Sequence, residues 1–133
     1  MPAILTHDFF GRDVYDELFD TIGGTKDEFD SFLLGCQGPD VMFFSHLNPA
    51  QTSSWYVGRE MHRADPVMLL SAFQRTIAKM PEDSYGIGRS YLFGLICHYV
   101  LDSNMHPFIY AQQRAIANAG VAGLDRSHES EIH

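Results

Sequence analysis

A chain of 133 residues, 45% hydrophobic and 13% aromatic, is long enough for one globular domain with a packed core. Its formal charge of -8, from 9 basic and 17 acidic residues without a Lys/Arg cluster, offers no footprint for a polyanion such as duplex nucleic acid. Gly, His or Asp interrupts each long apolar run well before the ~20 residues of a transmembrane helix, so none is expected.

"MPAILTHDFFGRD" has no basic n-region, long apolar stretch or small-residue cleavage site, which points to a cytoplasmic protein. From Asp13 to Ile22, Val14, Leu18, Phe19 and Ile22 recur at helical spacing before Gly23-Gly24, predicting a helix of about three turns. Thr25 with Glu28 is a capping-box signature, and Phe29, Phe32 and Leu33 share the face of a second helix ending near Gly35. "GCQGPDVMFFSHLNPAQTSSW" is rich in Gly, Pro, Ser and Asn and reads as an irregular crossing with at most a short helical turn. Asp65-Pro66 is a cap with a first-turn proline, opening a third helix whose stripe of Leu69, Leu70, Phe73, Ile77 and Met80 runs to Pro81. Residues 83 to 102, capped by Asp83 or Ser84, are apolar on nearly every face and predict the helix at the centre of a bundle. Pro107 is expected to open a further helix reaching residues 118–120. No alternating strand pattern occurs, so the expected class is an all-α bundle, one helical domain over 1–133. The closing "LDRSHESEIH" reads as the opening of a helix without a stop signal, so the sequence is expected to be a fragment lacking part of that helix or a following segment.

Cys36 and Cys97 have apolar neighbours and no CxxC spacing, which favours buried free thiols while leaving a bridge open. Seven histidines are the compositional anomaly. His98 and Asp102, four apart on one helical face, can pair with each other or share an ion, and pairing alone would satisfy both. His106 lies a further turn on, about 12 Å of rise from His98, too far for one ion to take all three. Two metals roughly 3.5 to 4 Å apart, spanned by Asp102, would accommodate it, with a break at Pro107 turning His106 inward. Asp40 follows a Gly-Pro turn among apolar residues and could equally cap the turn after it. His7 and His62, each taken alone, are satisfied core groups or ligands, and His46 reads as a loop histidine.

"THDFFG", "LLGCQGPD", "GREMH" and "GLICHYVLDSNMHPF", in this order and spacing, resemble the zinc-dependent phospholipase C family, whose fold is shared with single-strand-specific nucleases. The resemblance implies two or three zinc ions at the bottom of a cleft and hydrolysis of a phospholipid-like or other small phosphodiester by metal-bound hydroxide. Asp40, His62, His98 and Asp102 would surround one zinc, Asp102 would reach a second with His7, and His106 would belong to a third. That third ion also takes a later histidine in the family, here preferably His133, with His128 and Glu131 as the alternative. Asp40 would additionally act in catalysis by helping to take the proton of the attacking water. Arg59, Arg63 and Tyr56, which flank His62, would contact a phosphate or head group or simply be solvated. Secreted members use an N-terminal tryptophan as a ligand, whereas this chain begins Met1-Pro2; its compact D-x-x-x-H-P segment resembles intracellular bacterial relatives. A non-catalytic metal-binding domain is the rival reading. A His-Asp metal phosphohydrolase, prompted by His7-Asp8, lacks the upstream histidine that pattern needs.

Overall fold

A computed structural model describes residues 2–47 and 52–119. The order is α1 (Pro2–Ile22), α2 (Lys26–Gln37), a 3₁₀ segment (Gly38–Leu47), α3 (Thr52–Arg63), α4 (Pro66–Ile77) and α5 (Glu82–Asn118). The architecture is an all-α bundle, without a strand among the described residues.

The bundle is built on the crossing of α2 and α5. Two glycines permit it: a Cβ on Gly35 would lie 2.2 Å from the Tyr91 carbonyl oxygen, and one on Gly94 would lie 2.1 Å from that of Phe32. Backbone therefore meets backbone, and the interface closes around Phe32, Cys36 and Leu95, none with measurable exposure. Each large apolar side chain buried this way stabilises the fold by about 1.5–3 kcal/mol. α1 adds Ile22, with Val14 and Tyr15 packed against the same cluster. Polar ties fix the corners: Ser90 donates to the Ile22 carbonyl at 2.7 Å and Tyr15 to that of Gly23 at 2.8 Å. α4 lies against α5 through buried Ile77 and a stacked Phe73–Tyr91 pair.

Local chemistry explains the element ends. Thr25 and Glu28 form the capping box reciprocally at the start of α2, and Asp65 accepts from the Met68 amide before Pro66 starts α4. Gly38 stops α2 at φ 55°, ψ -140°, a conformation that L-residues with a Cβ essentially do not adopt.

Four expectations are corrected. α1 begins at Pro2 instead of Asp13, with one non-helical residue, Leu18, near its end. The stretch after α2 is a ten-residue 3₁₀ segment instead of a short turn, and α3 follows from Thr52. α5 starts at Glu82 with Pro81 in the cap position, so neither Asp83 nor Ser84 caps it. α5 also continues through Pro107, so there is no break to turn His106 inward. Ser103 and Pro107 are both exposed, so water is within reach of the Ser103 carbonyl that Pro107 deprives of its helical donor.

Candidate metal centre

Each element that reaches the centre delivers its residues for a local reason. α1 brings His7, the 3₁₀ segment Asp40, α3 His62 in its last turn, and α5 His98, Asp102 and His106 at intervals of four on one face. The positive-φ turn at Gly38 serves twice. It ends α2, and it clears space for an imidazole, because a Cβ there would lie 2.5 Å from Cγ of His98. On the other side the His7 ring stacks on that of His98 with centroids 4.4 Å apart.

Five of these groups form an alternating chain of imidazoles and carboxylates, closed into a ring where His98 meets His62 with centroids 5.8 Å apart. Nε2 of His62 lies 2.9 Å from Oδ1 of Asp40, whose Oδ2 is 4.0 Å from Nε2 of His7. The same His7 nitrogen is 3.1 Å from Oδ1 of Asp102, whose Oδ2 is 3.3 Å from Nε2 of His98. His106 stands outside the ring, with Nε2 3.6 Å from Oδ1 of Asp102. Exposure grades from floor to mouth: the side chains of His98 and His7 are 0% and 3% exposed, His62 28% and His106 44%. The centre thus opens on the side of α3 and the later turns of α5.

Backbone carbonyls set the tautomers. Nδ1 of His98 donates to the Cys36 carbonyl at 3.2 Å, and Nδ1 of His62 to the Gly58 carbonyl at 3.0 Å. Each neutral ring therefore turns an Nε2 lone pair toward a carboxylate, an acceptor facing an acceptor. In His98 that nitrogen is fully buried with no hydrogen-bond partner, and Nδ1 of His7 is likewise orphaned. A buried acceptor left bare costs about 1–3 kcal/mol.

A divalent cation fits this donor set. Nitrogen and carboxylate donors on a tetrahedral zinc, at about 2.0–2.1 Å each, stand roughly 3.3 Å apart, and the observed separations cluster around that value. Two trios bring one ligand atom each to within 4.8 Å of one another: His7, Asp40 and His98, and His62, His98 and Asp102. The single lone pair of His98 can serve only one ion, whereas both carboxylates have a second oxygen to offer. The carbonyl-anchored imidazoles match the outer-shell pattern of metal-ligating histidines.

Electrostatics divides the ligands. Burial, with the neighbouring His7 and His62, outweighs the attraction of Asp102 and Asp40 and holds the His98 imidazole below its ordinary value. For His62 burial acts in the same sense but is overcome, chiefly by the hydrogen bond that Nε2 donates to Asp40 once protonated, so its value is raised. Asp102 is likewise opposed by burial, yet His7, His98 and His106 hold its carboxyl below the usual range. Burial, reinforced by Asp102, pushes the nearby Tyr99 phenol up to about 12.

Six of the seven expected metal residues thus lie together, His7, Asp40, His62, His98, Asp102 and His106, while His133, like its alternative His128, lies outside the described residues. His46 belongs to the 3₁₀ segment. Arg59 does not face the ring: its guanidinium lies over Trp55 and Tyr56 at 5.2 and 5.5 Å and pairs with Glu60. Arg63 and Tyr56 are exposed. Tyr99 and Gly38 carry no recognisable ligand signal in the sequence and emerge from the fold. Cys36 and Cys97 are free; their mutual hydrogen bond and burial push the Cys36 thiol up, which makes it inert.

Among the described residues no helix is long and apolar enough to cross a membrane. No curated protein and no solved structure matches the chain. The family model described as zinc dependent phospholipase C matches residues 6–128, nearly the whole sequence and every ring residue. The chain belongs to the zinc-dependent phospholipase C family.

Proposed function

We propose that this protein is a single-domain, zinc-dependent hydrolase of phosphodiesters, acting on a phospholipid-like or other small substrate at a multinuclear centre. The observation that carries the reading is Nε2 of His98, buried, tautomerically fixed as a lone pair, and aimed at carboxylate oxygen without a hydrogen bond. His62, His98 and Asp102, with Asp40 beside them, would hold one zinc; His7 with the free oxygen of Asp102 would contribute to a second. His106 would serve a third together with His133. Bound zinc supplies a water acidified to near neutrality and positive charge for the phosphoryl oxygens.

The chain's own residues do the remainder. Asp40 faces His62 and His7 from the rim of the buried floor, where a carboxylate oxygen can take a proton from water. The Cys36 and Gly58 carbonyls keep His98 and His62 from rotating. The apolar floor, with His98 and Leu95 without exposure, excludes bulk water and strengthens each charge interaction. The gradient of exposure brings substrate in past His62 and His106.

Hydrolysis of bis-nitrophenyl phosphate, measured with and without a chelator, tests the activity. Chelator-sensitive turnover restored by zinc is expected. Protein that holds zinc but turns over neither this substrate nor a short-chain phosphatidylcholine is a metal-binding scaffold instead.

A further inference from the structure

α3 carries His62 yet is hardly held by the bundle. Its buried residues are Gly58 and Met61 alone among the described ones, and it rests mainly on the 3₁₀ segment, where Gly58 approaches the Pro39 carbonyl and Met42. The ring contacts of Phe43 with Trp55 and with His62, centroids 6.3 and 5.2 Å apart, are again to that segment, so they leave the register of α3 against α5 to be set otherwise. His62 nevertheless has to stay in register with three other elements.

Among the described residues, a hydrogen bond reaches α3 from the core helix. The Tyr99 hydroxyl, on α5 beside His98, donates to the Met61 carbonyl at 3.0 Å. Met61 lies in the last turn of α3, where carbonyls have no intrahelical donor, so this hydroxyl satisfies an orphan acceptor at the residue preceding His62. The same ring meets His98 edge-on, with centroids 5.3 Å apart. We propose that Tyr99 is a positioning residue of the metal centre, its hydroxyl latching the end of α3 to α5 so that His62 and His98 converge on one ion.

The inference rests on the zinc reading above, and the test separates the two. Zinc affinity is measured by competition with a chromogenic chelator for wild type, Y99F and S90A, alongside amide exchange over 52–63. Y99F keeps the ring against His98 and loses only the latch; S90A removes a hydroxyl-to-carbonyl bond of the same kind between α5 and α1. Y99F is expected to bind the zinc shared by His62 and His98 roughly 10- to 100-fold less tightly, the size of effect seen when the support of a ligand is lost, with faster exchange in α3. S90A is expected to lower the melting temperature and leave zinc affinity unchanged. Unchanged affinity and exchange in Y99F overturn the role of Tyr99, as does an equal loss in S90A, which would mark a general stability effect. Wild-type protein that binds no zinc overturns the site itself and the latch with it.

Discussion

Replacing Gly38 with alanine probes the junction where fold and centre meet. Two costs combine. The backbone at φ 55°, ψ -140° is strained for any residue with a Cβ, by about 1–3 kcal/mol. The new methyl would also stand 2.5 Å from Cγ and 2.6 Å from Cδ2 of a ring that is itself fully buried, an overpacking worth about 1–3 kcal/mol. Stiffening of the unfolded chain returns roughly 0.4–1 kcal/mol. The net loss is about 1–5.5 kcal/mol, a large share of the ~5–15 kcal/mol typical of a domain. Urea denaturation of zinc-free wild type, G38A and G24A measures it. Gly24 is the control because its Cβ would make only ordinary contacts, 3.9 Å or more from Phe19, at unremarkable φ. G24A is expected to be neutral or slightly stabilising. G38A should also weaken zinc, since relief of the clash moves the His98 ring. A G38A protein within about 0.5 kcal/mol of wild type, the range of a bland surface change, would refute both the strain and the packing reasoning.

Gly94→Ala sets a Cβ 2.1 Å from the Phe32 carbonyl oxygen and 2.7 Å from the Cys36 nitrogen, backbone atoms that cannot swing aside. Circular dichroism and urea titration should show a loss above ~3 kcal/mol, at or beyond ordinary overpacking, or no stable fold. Asp40→Asn should lower kcat on the phosphodiester by roughly 10²- to 10⁴-fold, as for removal of a general base, with helical content unchanged. For the zinc-free protein, stability should peak near pH 6.5, the ordinary imidazole value. Above it, the raised His62 releases in the folded state a proton it had bound favourably, so stability falls as pH rises through its folded value. Below it, the unfolded chain protonates its counterpart of His98 before the folded state does, so stability falls as pH drops toward the folded value. Asp102 deepens that acid limb further down, as pH falls through its own depressed value. His62→Gln should flatten the alkaline limb and His98→Gln the upper part of the acid limb.

The legible parts of the sequence were those where one local rule spoke alone. Thr25 with Glu28, and Asp65 with Pro66, named helix starts because caps act through backbone groups within a single turn. The spacing of His98 and Asp102 gave one face of α5 directly, while the break expected at Pro107 hid that His106 continues it. α3 was hidden because its few large apolar residues, Trp55, Tyr56 and Val57, are exposed, with only Met61 buried, and the Gly, Pro, Ser and Asn residues before it read as a loop. The first half of α1 was hidden because its start carries no acidic first turn and its buried face is spent on His7 and Gly11 instead of aliphatic residues. Pro107 lies inside a helix because the rule against helical proline weighs most where the freed carbonyl is buried, and here Ser103 and Pro107 are both exposed. The convergence of His7, Asp40 and His62 on α5 is a tertiary fact, which only the likeness of the whole set of motifs to a family foreshadowed.

Zinc content of the purified wild type and of His98→Ala, by elemental analysis after equilibration with excess zinc and desalting, tests the central claim most directly. Two or three zincs per wild-type chain and at least one fewer in the variant are predicted. A wild-type chain that retains none, or a variant that retains as many, would contradict a centre built around the bare Nε2 of His98.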